Sequence, residues 1–429
     1  MPTDDLECSG NRDLVSFADM AWQVFRFVTW PAKTAPGSAW PVRGAPAPSL
    51  PAAGEIPVFL TYKADWETLR EKGAPPQPWD KHEDTAFVCK PSPALRPGML
   101  VLSSLHEFGN VTEPAFSGLT NVLVAQNDKV VHYMTSFGPE EFGLIMKGRL
   151  YDAAHDPKLG PGAPSPDALK MKNAIVVKSA WVEVNPALPA SHSFYTVPAL
   201  IRIFGSNDCE LKMVGLVGLH IALKTPTSPQ WIWSSFEHVD NVPENGAAGP
   251  RSFHDSTNDA MPSTPPIPDQ IKPNTSPASF APIPFNVTRQ LPTAGEVDRA
   301  NTTWQGIMKQ AGPTSVWSNY KLVTVQWPGQ PSNASATLVG AAPTPPCLSD
   351  PGTNMANMTM ETFQQDGGAC VKVTSTCMGC HFGARTSDFI YALPLKAQQP
   401  LRPFSETTNR ISALEHLCHI TGRCGPVLR

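Results

Sequence analysis

Charged side chains are scarce in this sequence. Asp, Glu, Lys and Arg make up 16% of its 429 residues, against about a quarter in an average soluble protein. The formal net charge is −4, and Lys and Arg are nowhere gathered into the basic stripe or arm that a nucleic-acid-binding surface needs. We therefore expect no nucleic acid among the partners of this protein.

Long apolar runs and the common catalytic motifs are also missing. No stretch reaches the roughly 18 apolar residues of a transmembrane helix, so no transmembrane segment is predicted. The sequence lacks H-E-x-x-H, G-x-S-x-G, G-x-x-x-x-G-K-[ST] and G-x-G-x-x-G. These motifs are typical of zinc proteases, serine hydrolases, P-loop proteins and dinucleotide-binding folds, which the sequence therefore does not favour.

Proline, in contrast, is abundant. The chain contains 47 prolines, about twice the ordinary usage. Together with the low charge and the 11 tryptophans, this composition favours a rigid, loop-rich, exported protein over a cytosolic enzyme.

The most informative segment is Cys377-Met378-Gly379-Cys380-His381, a C-x-x-C-H sequence. This spacing is the attachment signature of c-type haem: the two thiols add across the haem vinyl groups, and the adjacent His becomes the proximal iron ligand. Two intervening residues let one tight turn present both sulfurs to a single porphyrin edge. We therefore expect one covalent haem c, held by Cys377, Cys380 and His381.

A zinc site is the alternative interpretation of the same motif. A C-x-x-C pair needs two further ligands to complete a tetrahedral zinc site. Four downstream side chains could supply them: His416, Cys418, His419 and Cys424.

Seven of the nine cysteines lie outside the motif. Because bacteria attach haem covalently outside the cytoplasm, we expect a periplasmic or secreted protein whose signal peptide has been removed; residues 1–5 are acidic and no apolar core follows them. In an oxidising compartment several of these cysteines should form disulfide bonds. The most local candidate pairs are Cys418–Cys424 and Cys347–Cys370, and the odd number leaves at least one cysteine unpaired within the chain.

The hydrophobic patterns predict an α+β fold, with a β-rich body of antiparallel sheets, flanking helices and a C-terminal c-type haem-binding segment. Helices are predicted at 13–29, 63–72, 298–311, 353–366 and 405–420. Short β-branched and aromatic runs between turn signals predict strands through 97–240, and a further strand at 321–328.

Three regions follow from this pattern. Residues 1–96 should form a helix and Pro-rich loops packed on the body, 97–330 the β-rich body itself, and 331–429 the haem c segment. Within the body, residues 241–297 are rich in Pro, Ser, Asn and Gly. They are predicted to form a long excursion that wraps the surface or lines a site.

The ligand on the far side of the iron separates the possible functions. Met378 is the last Met in the chain, so a Met ligand downstream of the motif, as in small electron carriers, is impossible. The sixth position falls to His416 or His419, to a residue of the β-rich body, or stays open. Two strong protein ligands indicate electron transfer, whereas an open position indicates catalysis or ligand binding.

Two strand histidines are candidates for the distal side of such a pocket. His220 lies between Gly218 and Ala222 on one face of its strand, and these small neighbours leave space that would suit a cofactor edge. A hairpin would bring His238, on the next strand, into the same sheet. Either could act as a distal ligand or acid/base, and the alternative for each is a core His that bonds to a backbone carbonyl. Lys178 is interpreted as a solvated charge at a strand end.

Several segments resemble a group of large bacterial monohaem proteins labelled only "cytochrome c family protein". The most specific are residues 215–243 and the C-terminal C-x-x-C-H; the others are WQVFRFVTWPA (22–32), DWETL (65–69), VVKSAWVEV (176–184), ANTTWQ (300–305), VWSNYKLVTVQWP (316–328) and the stretch 356–393 around the motif. The resemblance implies an exported protein with one haem c on Cys377, Cys380 and His381. It implies no particular reaction and no distal residue.

These observations favour a haem c oxidoreductase of the peroxidase or oxygenase type, which activates peroxide or oxygen at the iron. The 376 residues before Cys377 are far more than a one-electron carrier needs. Two alternatives stay open: an electron-transfer cytochrome with a six-coordinate haem that docks on a redox partner, and a protein that binds a small gaseous ligand. The expected partner is accordingly a redox protein or a small-molecule substrate.

Overall fold

The structure is a computed structural model. It describes residues 12–48, 54–70, 73–90, 93–102, 112–113, 121–152, 173–187, 193–202, 208–225, 228–244, 250–258, 284–312, 314–328, 349–350, 356–362 and the single residues 377, 381, 390 and 392. The α-helices are α1 (Leu14–Thr29), α2 (Asp65–Thr68), α3 (Pro139–Gly148) and α4 (Gly295–Ala311). The strands are β1 (Ala32–Thr34), β2 (Pro41–Pro46), β3 (Lys63–Ala64), β4 (Leu100–Leu102), β5 (Thr112–Glu113), β6 (Asn121–Val122), β7 (Val131–Phe137), β8 (Ile175–Glu183), β9 (Thr196–Arg202), β10 (Cys209–Thr225), β11 (Ser228–His238), β12 (Tyr320–Pro328) and β13 (Ser349–Asp350).

A nine-stranded sheet forms the centre of the molecule. Its main order is β13-β12-β11-β10-β8-β7-β3, while β9 pairs with the first half of β10 and β4 pairs with β9. The β4–β9 pair is parallel, and the other strand pairs of the described chain are antiparallel. The predicted α+β class is thus confirmed, and the expectation of purely antiparallel sheets is wrong at this one pair.

One face of this sheet, the back face, is covered by α1 and α4. The helix α1 begins at the N-cap Asp13, whose carboxylate accepts from the Ser16 N–H, and it ends at Trp30, before a proline that cannot continue it. Its apolar side chains recur at helical spacing and are buried against the sheet. Trp22 Nε1 donates to Asn301 Oδ1 of α4 at 3.1 Å, which fixes the two helices to each other.

A disulfide bond joins Cys89 to Cys209, 120 residues further along the chain. It connects the segment before β4 to the start of β10. Disulfide formation was predicted, but the pairing was not, because the two cysteines are distant in sequence and only the sheet brings them together. The predicted pairs Cys418–Cys424 and Cys347–Cys370 lie outside the described residues.

Some of the predicted helices are present in the structure and others are not. The helices at 13–29 and 298–311 and the strand at 321–328 are confirmed as α1, α4 and β12. The helix predicted at 63–72 is reduced to the four residues of α2, and that at 405–420 lies outside the described residues. The helix α3 was missed within the strand region, although a proline at its start and two acidic residues in its first turn are helix-start signals.

The helix predicted at 353–366 is wrong for the part of it that is described. Residues 356–362 form a single turn, in which Asn357 Oδ1 accepts from both the N–H and the hydroxyl of Thr359 at 2.9 Å. Such local side-chain bonds give the backbone an alternative to the helix. We call residues 356–362 the strap, because they lie across the face of the sheet opposite α1, the front face.

The strap approaches the sheet at Gly218. A Cβ atom added there would lie 2.2 Å from Thr359 Oγ1 and 3.2 Å from Met360 Cγ. The hydroxyl of Tyr133, on β7, donates to the Thr359 carbonyl at 2.7 Å and holds the strap in this position. The close contact therefore requires glycine at position 218.

Substitution of Gly218 by Ala tests this packing. We expect Gly218→Ala to lower the free energy of unfolding by about 1–3 kcal/mol, because the new methyl group overpacks the contact with Thr359. The matched control is Gly143→Ala in α3, where an added Cβ meets nothing within 4 Å, and which should be neutral or stabilising by about 0.5–1 kcal/mol. Urea denaturation measures both, and equal stability of the two variants would contradict the close contact.

Candidate functional site

Three rows of side chains cross the front face of the sheet. The first row is Phe137, Val176, Ala222, Trp233 and Gln326. The second row is Thr135, Lys178, His220, Ser235 and Thr324. The third row is Tyr133, Ala180, Gly218, Glu237 and Lys321. Because directly opposed residues of antiparallel strands point to the same face, the second row is a polar stripe on the front face.

The polar stripe has His220 at its centre. His220 Nε2 lies 2.8 Å from Glu361 Oε1 of the strap, and both side chains are about three-quarters buried, with 22% and 27% of their surface exposed. Lys178 is the cross-strand neighbour of His220 on β8, and its Nζ lies 5.0 Å from the centre of the Tyr133 ring. On the other side, the Ser235 hydroxyl accepts from Asn357 Nδ2 at 3.1 Å. The site therefore combines a His–Glu pair with a lysine in a partly enclosed position.

Two residues of the C-x-x-C-H motif lie against the first row. The ring of His381 packs on that of Trp233, with 4.0 Å between the ring centroids, and the Cys377 N–H donates to Gln326 Oε1 at 2.7 Å. Cys377 packs on an apolar cluster that contains Trp231, Trp233 and Ile390, and both Cys377 and His381 are half-buried. A thiol and an imidazole four positions apart in the sequence, both packed on apolar side chains, fit the donor set of a c-type haem.

This arrangement puts Cys377 and His381 on the row next to the polar stripe. Successive residues on one face of a strand are about 6.8 Å apart, and Trp233, which contacts His381, is followed on its face by Ser235, the partner of His220. Of the two distal candidates, His220 thus shares the face on which His381 lies. The other motif cysteine, Cys380, and the possible sixth ligands His416 and His419 lie outside the described residues.

The other distal candidate, His238, lies on the back face. It is fully buried, its Nε2 is 3.0 Å from the Ser193 carbonyl oxygen, and its Nδ1 accepts from the Asp240 N–H at 3.1 Å. Burial lowers the pKa of His238 to about 4, so the ring stays neutral at physiological pH. This environment corresponds to the core interpretation of His238 that the sequence analysis kept as its alternative.

The space that the sequence predicted above Gly218 is filled by other residues of the same chain. Thr359 and Met360 of the strap occupy it, and the segment is held there by Asn357, whose Nδ2 also donates to the Phe236 carbonyl at 2.8 Å. Small residues beside His220 therefore allow the strap to approach, which is how Glu361 comes to lie next to His220.

Glu237 fixes the strap from the third row. Its carboxylate is fully buried, contacts Arg289 Nη2, lies 3.2 Å from Lys321 Nζ and accepts from the Met358 N–H at 2.8 Å. Burial alone would raise the pKa of Glu237, but the two cations and the Met358 N–H together hold the pKa below its ordinary value. Glu237 is therefore a structural anion and not an acid/base group.

No three His, Cys, Asp or Glu side chains in the described ranges converge as a group that could hold a metal ion. No helix in the same part of the chain is both long and apolar enough to cross a membrane.

Comparison with known proteins gives no relative from which a role could be transferred. No protein-family model, no curated protein and no solved structure matches this chain.

Glu361 is the site residue that sequence reasoning missed. It lies in a stretch predicted to be helical, more than a hundred residues after His220, and nothing in the local pattern pairs the two. A usable signal was the presence of Asn357, Thr359 and Thr362 in this stretch, because Asn and Thr side chains favour turns.

Substitution of Glu237 by Gln tests the ionic contacts that hold the strap. At pH 7 we expect Glu237→Gln to lose about 3–5 kcal/mol of stability, because Arg289 and Lys321 then lack a buried counter-charge. The folded-state pKa of Glu237 is depressed, so its contribution is present above the ordinary value of 4.5 and is lost as the pH falls through the folded-state pKa. The variant should therefore lose less stability than the wild type on acidification below about pH 4.5.

The matched control for this prediction is Glu296→Gln. Glu296 pairs with Arg299 at 3.4 Å, but both side chains are exposed, so the substitution should change stability by less than about 0.5 kcal/mol. Urea unfolding between pH 3 and pH 7 measures all three proteins. An unchanged stability of Glu237→Gln at pH 7 would show that the strap is held by other contacts.

Proposed function

We propose that this protein is an exported monohaem c oxidoreductase that acts on peroxide or oxygen. In this proposal Cys377 and Cys380 attach the haem and His381 is the proximal ligand. A bound haem would supply the redox-active iron and the coordination position for the oxygen substrate. The observation that carries the proposal is that Cys377 and His381 pack on the row of side chains next to the row of His220, on one face of one sheet.

The chain's own part in the reaction is proton handling by His220. The Glu361 carboxylate, 2.8 Å from Nε2, places a negative charge next to the ring. In this proposal Nε2 carries the proton and Nδ1 is the proton acceptor. A peroxide O–H at Nδ1 can give up its proton there, and Glu361 stabilises the imidazolium that results. Lys178, next to His220 in the stripe, adds a positive charge that attracts the developing oxygen anion.

Export is supported by the Cys89–Cys209 disulfide, since disulfide bonds persist mainly outside the cytoplasm. It also agrees with the resemblance to bacterial monohaem proteins, on which the covalent haem is added after export. We propose a periplasmic or secreted location on these grounds.

Electron transfer is the second candidate function, and one observation favours it. His381 packs on Trp233, whose ring centroid lies 6.5 Å from that of Trp231, and contiguous aromatic rings provide a route for an electron away from the motif. In this case His416 or His419 would complete a six-coordinate haem, and the body would serve to dock a redox partner. The third alternative is a protein that binds a gaseous ligand. Like the oxidoreductase, it would have an open coordination position at the iron, but it would not turn over a substrate.

A haem assay tests the cofactor. The protein, matured in a periplasm that attaches haem c, should show a c-type pyridine haemochrome with one haem per chain. Cys377→Ser with Cys380→Ser should abolish the covalent attachment, and His381→Ala should alter the spectrum of the iron. Bound zinc without haem would contradict the proposal and establish the alternative zinc site.

The same material separates the candidate functions. High-spin bands that shift with CO, together with peroxide turnover, are expected for the oxidoreductase. A low-spin spectrum that does not respond to CO indicates the electron-transfer alternative, and CO binding without turnover indicates the ligand-binding one.

The His220–Glu361 pair is tested by peroxide turnover of the haem-loaded protein. His220→Ala should lower kcat/KM by about 10²–10⁴-fold, the usual contribution of a general acid/base, with unchanged haem content. Glu361→Gln should lower it less, because the imidazolium loses its counter-charge but the base remains. The matched control is His254→Ala: His254 is half-buried, bonds to the Val287 carbonyl at 2.9 Å and lies outside the stripe. Undiminished turnover by His220→Ala would refute the proton role and leave the haem assignment standing.

A further inference from the structure

A cleft on the other side of the molecule is independent of the motif and of the polar stripe. It lies between β2, the residues around β3, the loop 81–83 and the approach to β4, and its volume including the open mouth is about 580 Å³. Its walls include Trp40, Leu60, Tyr62, Leu95 and Met99. Met134, a back-face residue of β7, is also part of the lining, so the cleft and His220 lie on opposite sides of the sheet.

The charged groups in and beside this cleft are paired with one another. Arg43 Nη2 lies 2.7 Å from Glu67 Oε1, and the two side chains are only 6% and 7% exposed. The fully buried Lys63 donates to the Lys81 carbonyl at 2.6 Å and lies 3.6 Å from the same Glu67 oxygen. Glu83, which also lines the cleft, lies 3.5 Å from Arg70 Nη1. The cleft therefore has both polar and apolar walls, and each of these charged groups already has a partner of opposite charge.

The cluster around Arg43 fixes the protonation of the His82 ring. Its Nδ1 lies 2.8 Å from Arg43 Nη2, and because a guanidinium only donates hydrogen bonds, Nδ1 must accept and the ring proton must be on Nε2. Burial, reinforced by the Arg43 charge, lowers the pKa of His82 to about 4. Within the described ranges no side chain or backbone atom bonds to Nε2. His82 is thus a neutral ring with a fixed, unused N–H donor.

Trp40 supplies a flat surface beside this donor. Its ring packs on that of His82, with 3.8 Å between the centroids, and both residues are half-buried at the cleft. An aromatic ligand placed against these rings gains stacking and apolar burial, and its acceptor atom can reach Nε2.

We propose that this cleft binds a small, uncharged aromatic molecule that carries a carbonyl group. The carbonyl oxygen accepts from His82 Nε2–H, and the ring lies against Trp40 and the apolar walls. A ligand with a carboxylate in place of the carbonyl should bind more weakly. Its charge would lose water next to Glu67, and the cations nearby are already paired with the chain's own carboxylates.

Three probes of similar shape test the chemistry: acetophenone, ethylbenzene and benzoate. Their affinities for the full-length protein can be measured by ligand-observed NMR with titration. Acetophenone should bind more tightly than ethylbenzene by about three- to tenfold, the worth of one hydrogen bond, and benzoate should bind more weakly than acetophenone. Absence of acetophenone binding at millimolar concentration, or equal affinities for the three probes, would overturn the proposal.

Two variants assign the binding to this cleft. His82→Phe keeps an aromatic wall and removes the donor, so the preference for acetophenone over ethylbenzene should disappear. Trp40→Ala should weaken the binding of both acetophenone and ethylbenzene. This second variant does not alter the Arg43 cluster, so it tests the site even if His82→Phe disturbs folding. The matched control His254→Phe replaces a half-buried His outside the cleft and should leave all affinities unchanged. Unaltered acetophenone binding by His82→Phe and Trp40→Ala would refute the site.

Discussion

The front face of this protein depends on one buried anion, Glu237. Its carboxylate joins Arg289 from the segment before α4, Lys321 from β12 and the Met358 N–H of the strap. A carboxylate so far from water is tolerated only because each of these partners is present. The same contacts bring the strap onto the sheet, and the strap in turn carries Glu361 to His220.

The sheet then arranges its side chains in rows with different properties. The apolar first row and its cluster receive His381 and Cys377, while the neighbouring polar stripe carries His220 and Lys178. An apolar surface beside a proton-accepting side chain is what the proposed haem chemistry needs. On the back face, the described residues are α1, α4 and an aromatic core, and His238 is bonded to backbone groups among them.

Local patterns were sufficient to predict a good part of this fold. The helical spacing of α1 and α4 and the alternation along β10 and β11 led to the correct elements, and alternation also put Glu237 and His238 on opposite faces, as the register confirms. The strap was assigned wrongly, because its apolar Met residues imitate a helix while Asn357 and the contact at Gly218 enforce a turn. The Cys89–Cys209 bond and the His220–Glu361 pair could not be predicted, since each joins residues more than a hundred positions apart.

The sequence by itself determined the α+β class and the main helices and strands, and it predicts a haem c site at the C-x-x-C-H motif. These depend on residue type and spacing over a few positions, which is the range on which propensity and periodicity act. Only the tertiary structure decided which side chains meet: that His220, and not His238, shares a face with His381, that Glu361 accompanies it, and that Arg43 orients His82 in the cleft behind. Such pairings follow from strand register and from buried ionic contacts, which bring distant parts of the chain together and leave no local trace in the sequence.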